Sequence, residues 1–141
     1  MREVDPLKLW LGNARDARSP RALHDVGVET VVDLAIEEPV AQLTRDLIYC
    51  RIPIHDGAEN APRSLAIAIE ITASLIRREI PTLVACSAGM SRSPSIIAAA
   101  LSLVRQRAPD EMLKEIIDGN PNDVSPALWA DVKKSLSLIC H

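Results

Sequence analysis

Residues 82–94 read Thr-Leu-Val-Ala-Cys-Ser-Ala-Gly-Met-Ser-Arg-Ser-Pro, and the fold turns on how this stretch is read. Thr82 to Ala85 is a short run of small and branched residues, the pattern of a strand buried on both faces. Ser93-Pro94 predicts a helix start, because a capping hydroxyl accepts from an orphan amide and proline gives up a donor that had no partner. Cys86 to Arg92 is then an arc between a buried strand and a helix N-terminus. Such an arc turns its amides inward and adds the positive end of the helix dipole, which makes a concave anion site. Gly89 permits a positive φ or a close backbone approach. Arg92 closes the ring with a planar fork that can take two phosphate oxygens, which lysine cannot do. Helix N-termini and adjacent cations lower a cysteine pKa from about 8.5 to roughly 3.5–7.5. Cys86 is therefore expected to sit at the floor of the cradle as a nucleophilic thiolate.

The same strand–helix grammar extends outward. Leu7 to Leu11, Val28 to Leu34 and Tyr49 to Ile54 read as further strands. Ser19-Pro20 and Ser125-Pro126 repeat the helix-start signal, and Gly27 closes the first of these helices as a glycine just past a C-cap does. Leu65, Ile69, Thr72 and Ile76 form a stripe that makes Arg63 to Arg78 an amphipathic helix. Ser95 to Val104 is apolar nearly all round and predicts a central buried helix. Asp110 to Ile117 and Ala127 to Ile139 predict two covering helices. The expected order alternates strand and helix up to the active loop, including a helix between the second and third strands. That pattern predicts an α/β fold in one domain, residues 1–141, with a small, mostly parallel central sheet flanked by helices.

Bulk composition narrows the partners. The chain has 141 residues, 48% hydrophobic and 25% charged, with a net charge of −3, an ordinary globular profile. Mild acidity gives no electrostatic reason to expect nucleic acid. No basic run is present that could dock on an anionic membrane, and Pro94 to Val104 is too short an apolar stretch to span one. Three cysteines do not make a disulfide framework. Met1 to Trp10 carries Glu3 and Asp5 and lacks a signal-peptide core, so the expected location is a reducing cytoplasm. With no phenylalanine and a single tyrosine, the core must be aliphatic.

Cys86-Ser87-Ala88-Gly89-Met90-Ser91-Arg92-Ser93 resembles the Cys-x5-Arg-Ser/Thr loop of the cysteine-dependent protein tyrosine phosphatases, in the form used by the dual-specificity branch. Leu9 to Ala14, Val31 to Leu34 and Ile52 to Asp56 are similar to that family's opening strands and to the segment ending in its general acid. The resemblance covers about Leu7 to Leu138. It implies a metal-free, cofactor-free hydrolysis of phosphate monoesters on proteins or small molecules. Cys86 would attack phosphorus, Asp56 would protonate the leaving group, and Arg92 would hold the phosphate with the amides of Ser87, Ala88, Gly89, Met90 and Ser91. Ser93 would hydrogen-bond the sulfur, and it would also cap the helix. Ala85 stands where the family usually has histidine, which implies a less strongly activated thiol than in relatives that keep it.

Other residues carry plainer readings. Asp56 lies in a turn-rich stretch, and Glu59 is the competing carboxylate. His24, His55 and His141 lack metal-ligand spacing, although His55 could border the pocket. Cys50 reads as a buried inert thiol; the alternative, implied by the resemblance because some relatives use a second cysteine in this way, is a protective disulfide to Cys86. Cys140, near the chain end, carries no expected role. Glu37-Glu38 and Arg77-Arg78-Glu79 read as solvated faces. Two rival functions share the anion loop: a phosphate-binding module without turnover, and sulfur transfer or arsenate reduction. Met90 stands where phosphoinositide-type relatives often place lysine, so the resemblance implies that a polyanionic lipid headgroup is disfavoured. Physiological substrate and oligomeric state are not encoded in any motif.

Overall fold

In the computed structural model, residues 1–4 and 8–139 are described. Leu7, the first residue of the expected opening strand, lies outside them, as do Asp5, Cys140 and His141. The strands are β1 (Arg2–Glu3), β2 (Leu9–Gly12), β3 (Thr30–Ala35), β4 (Ile48–Ile54) and β5 (Thr82–Ala85). The helices are α1 (Ala14–Ala17), α2 (Pro20–Val26), α3 (Pro62–Arg77), α4 (Arg92–Arg105), α5 (Pro109–Ile117) and α6 (Pro126–Ile139).

One sheet holds all five strands in the order β1-β2-β5-β3-β4, parallel throughout except for the antiparallel β1–β2 pair. This is the expected mostly parallel α/β architecture. β5 lies between β2 and β3 and is buried along its whole length, which is why its sequence runs apolar without alternation. Successive side chains of β3 and β5 point to opposite faces. Val31, Leu83 and Ala85 pack with Leu23 of α2 and Ala17 of α1. Val32, Leu34 and Val84 face the larger core of α3, α4, α5 and α6.

The helix signals translate with small changes of boundary. Ser19 Oγ accepts from the amide of Ala22, and Ser125 Oγ accepts from that of Leu128, each before a proline in the first turn. Gly27 ends α2 at φ +83°. The third signal shifts, because α4 begins at Arg92 and the cap position is Ser91. Ser93 is thus inside the first turn and does not cap. Pro94 costs nothing there, because the first turn of a helix has no acceptors for its amides.

Three local features depart from expectation. β1 and α1 were not foreseen; each is very short, and α1 is held by a reciprocal box in which Asn13 Oδ1 accepts from the Asp16 amide and Asp16 Oδ2 accepts from the Asn13 amide. The expected helix between β3 and β4 is absent, and residues 36–47 form an irregular loop. Pro39 interrupts any helical hydrogen-bond ladder there. Side chains of β4 hold that loop instead: Arg51 Nη2 donates to the carbonyls of Ala35, Ile36 and Glu38, and Tyr49 Oη accepts from the Ala41 amide.

Candidate active site

The site grows from the C-terminal end of β5, the crevice where parallel sheets place ligands. Two bonds carry the β2–β5 pairing into the loop: Cys86 N donates to Gly12 O (3.3 Å) and Ala14 N donates to Ser87 O (3.1 Å). The chain then turns through Gly89 at φ +74°. A Cβ on Gly89 would lie 3.0 Å from the Gly12 carbonyl oxygen and 3.1 Å from its carbon. Glycine is therefore required for both backbone sign and space. Cys86 is buried with 2% exposure, and it lines one cleft with Ser87, Ala88, Met90, Ser91, Arg92, Asp56, Glu37 and Asp123. The structure thus gathers Cys86, Arg92 and Asp56 from two distant segments around one space.

Arg92 can be accounted for donor by donor. Its side chain is 4% exposed. Nη1 donates to Glu37 Oε1 (2.5 Å) and to the Ile54 carbonyl (2.9 Å), and Nη2 donates to Glu37 Oε2 (2.7 Å). Guanidinium carries five N–H groups. The two left over, on Nε and on the second position of Nη2, lie side by side on one edge. Nε is buried and makes no hydrogen bond. An edge of this kind suits two oxygens of one anion. Burial opposes the charge on Arg92, but the hydrogen bond and charge of Glu37 outweigh it and leave the pKa raised. Glu37 moves the other way: the Arg92 hydrogen bond, helped by one from Ser87, holds its carboxyl at about 2.

Glu37 is the participant the sequence did not reveal. Read as part of a solvated face, it is half exposed and yet turned onto Arg92. No local motif marks it, since its position depends on the irregular loop after β3. The available signal was indirect: a buried arginine needs a carboxylate partner, and Glu37 follows a strand adjacent to β5.

Asp56 sits just past β4, in a turn stapled by Asn60. Asn60 Oδ1 accepts from His55 N (2.7 Å), while Nδ2 donates to the carbonyls of His55 (2.9 Å) and Gly57 (3.2 Å). Asp56 Oδ1 accepts from Ser91 Oγ at 2.6 Å. Glu59 and His55 are exposed and do not line the cleft. His24 lies elsewhere, against Thr44. Ser93 Oγ is fully buried and has no hydrogen-bond partner, so the expected bond to the sulfur is not formed in this structure.

Cys50 is a partly buried free thiol whose pKa burial pushes up. It pairs with Val32 of β3, and Val32 pairs with Val84 of β5. Cys50 and Cys86 are therefore two strands apart, about 9–10 Å by strand spacing alone. Disulfide Cα atoms lie within about 7 Å, so the protective bridge is ruled out without rearrangement. Among the described residues, no group of three or more histidine, cysteine or acidic side chains could hold a metal ion.

Comparison with known proteins places this geometry. The family described as the dual specificity phosphatase catalytic domain matches residues 9–117. Dual specificity protein phosphatase 9 of Homo sapiens is 32% identical over 136 residues, covering 92% of this chain. The chain spans about a third, 35%, of that relative's length. Human DUSP28 shares the fold with a TM-score of 0.80 at 24% identity, over 94% of each chain. DUSP15 superimposes with a TM-score of 0.78 at 26% identity, over 96% of this chain and 86% of the other.

Proposed function

Because the chain belongs to the dual specificity phosphatase catalytic-domain family, we propose that it hydrolyses phosphate monoesters through a cysteinyl-phosphate, with Cys86 as nucleophile. One observation carries this reading: Arg92, with its buried Nε left unpartnered, lines the same cleft as Cys86 and Asp56. A phosphate seated there would put two oxygens on that edge and the others on the loop amides, with phosphorus above the sulfur.

The first step forms an S–P bond and breaks the P–O bond to the leaving group, whose oxygen takes a proton from Asp56. In the second, water gives a proton back to Asp56, attacks phosphorus and releases the thiolate. Ser93 Oγ, buried beside the loop with its hydrogen bond unspent, is available to the sulfur as it leaves. The reaction draws on no metal or cofactor.

Phosphorylated proteins are the proposed substrates, with phosphotyrosine, phosphoserine and phosphothreonine all admitted. The cleft measures about 170 Å³, below the roughly 300–1,000 Å³ of sites that engulf a whole ligand. It can take a phosphate and its ester oxygen while the rest of the substrate lies outside. Glu37, Asp56 and Asp123 line it with a single arginine, which disfavours a polyanionic headgroup. A reducing cytoplasm suits such a thiol.

The test is turnover of p-nitrophenyl phosphate. Activity should vanish in Cys86→Ser and fall on the order of 100-fold or more in Asp56→Ala. Binding of phosphate without turnover by the intact protein would favour the phosphate-binding module. Sulfur transfer insensitive to Asp56→Ala would favour the other rival.

A further inference from the structure

The side chain of Ser91 touches Asp56 rather than the anion nest alone. Ser91 is 5% exposed at the cap position of α4. Its Oγ donates to Asp56 Oδ1 at 2.6 Å and accepts from the Ser125 amide at 2.9 Å. The amide can only donate, so it occupies a lone pair on Oγ and leaves the hydroxyl hydrogen for Asp56. Ser91 itself is fixed, since its carbonyl accepts from both the amide (3.1 Å) and the hydroxyl (2.8 Å) of Ser95. The segment before α6 is tied to the same loop, because Asp123 N donates to Met90 O at 2.9 Å. The carboxyl of an exposed turn is thereby clamped to the rigid end of a buried helix.

We propose that Ser91 is a positioning residue for the leaving-group proton: its hydroxyl holds Oδ1 of Asp56 so that Oδ2 faces the ester oxygen. This rests on the proposed role of Asp56 as general acid. Ser91 does not touch the reacting atoms through its side chain. Its effect is to remove the search that a free carboxyl would make, and misplacement of a catalytic group is costly even when the group is retained. When Asp56 carries its proton on Oδ2, Oδ1 remains a carbonyl-type acceptor for the Ser91 hydroxyl, so the contact persists through both steps.

Leaving-group chemistry separates this role from a structural one. p-Nitrophenolate is the better leaving group and depends less on the exact placement of the proton donor than phenolate does. In Ser91→Ala, kcat for phenyl phosphate is expected to fall about 10-fold and kcat for p-nitrophenyl phosphate by less than about 3-fold. KM for both, and inhibition by inorganic phosphate, should change less than about 2-fold, showing the nest intact. Ser91→Thr, which keeps the hydroxyl, should recover most of the loss. In an Asp56→Asn background, Ser91→Ala should add nothing. Equal losses on both esters, or an additive loss in that background, would overturn the assignment while leaving the phosphatase reading standing. Lack of turnover of either ester by the unaltered protein would remove the phosphatase reading, and this assignment with it.

Discussion

Glu37 and Arg92 meet end to end, each carboxylate oxygen on its own guanidinium nitrogen at 2.5 and 2.7 Å. The contact anchors a buried cation by its far end, and the Ile54 carbonyl holds a third N–H. Only one edge of Arg92 is then left for an anion. Hydrogen bonds to charged groups contribute about 1.5–3 kcal/mol each. Glu37→Gln keeps the shape, removes the charge and turns one oxygen into a donor. It should raise KM for a phosphate ester by about 10-fold or more with a smaller change in kcat. A fall in KM would mean that Glu37 competes with substrate instead of aiming Arg92.

The same pair carries a pH signature. The Arg92 hydrogen bond lowers the Glu37 carboxyl from 4.5 to about 2. A depressed carboxylate contributes stability that is complete above the unfolded value and disappears as pH falls through the folded one. The window is therefore from about 4.5 down to about 2. Glu37 is half exposed, so solvent screening keeps the contribution to about 1 kcal/mol or less. Urea unfolding across this range should show the gap between the unaltered protein and Glu37→Gln closing as pH drops. A gap that stays constant would show that the charge contributes nothing.

Gly89 is where the loop meets its tightest neighbour. Alanine there would have to hold φ +74° and place Cβ 3.0 Å from the Gly12 carbonyl oxygen. Left-handed backbone in a residue other than glycine costs on the order of 1–3 kcal/mol when enforced. Gly89→Ala should lose about that much stability in urea titrations. It should also weaken inhibition by inorganic phosphate, because the amides at the crest move. Undiminished phosphate binding would show that the arc does not depend on this contact.

Much of this was legible beforehand, for a physical reason. β5, the loop and α4 are local: strand burial, glycine and the helix-start signal all fall within residues 82–94. The helices announced by Ser-Pro pairs rest on capping, which is also local. Where structure rests on long-range contacts, the sequence was silent. The loop over residues 36–47 is held by Arg51 and Tyr49, side chains that periodicity reads only as strand positions. Glu37 reaches Arg92, 55 residues away, through that loop alone. Ser91 carries a signal in the motif, but its bond to Asp56 appears only once the turn after β4 meets the N-terminus of α4.

That loop has its own support. Asp33 is 1% exposed and gathers Tyr49 Oη (2.5 Å), Arg51 Nη1 (3.3 Å) and Arg18 Nη2 (3.6 Å) on Oδ2. Arg51 in turn holds carbonyls on both sides of Glu37. Removing one member of a buried charge pair costs about 3–5 kcal/mol because the partner is left unpaired. Asp33→Ala should therefore lose stability of that order by urea unfolding. Arg51→Met keeps apolar bulk but frees the loop. It is expected to raise KM in the same direction as Glu37→Gln, and the double variant should add little. Full additivity would place Arg51 outside the Glu37 pathway.

The separation of the two described thiols makes a last prediction. Cys50 lies on β4 and Cys86 just past the end of β5, with β3 between them, and the register offsets them further along the strand direction. Bridging them would require β4 to leave β3, breaking the ladder that carries Thr30–Ile48 through Ala35–Ile54. Under mild peroxide the buried, loop-held Cys86 should inactivate without forming an intramolecular link to Cys50. Peptide mapping after alkylation should find Cys50 free, and Cys50→Ser should inactivate at the same rate and recover equally with thiol. A mapped Cys50–Cys86 disulfide, or slower recovery in Cys50→Ser, would show that the β3–β4 pairing opens in the native protein. The edge position of β4, with Ile48 exposed at its start, is where such opening would begin.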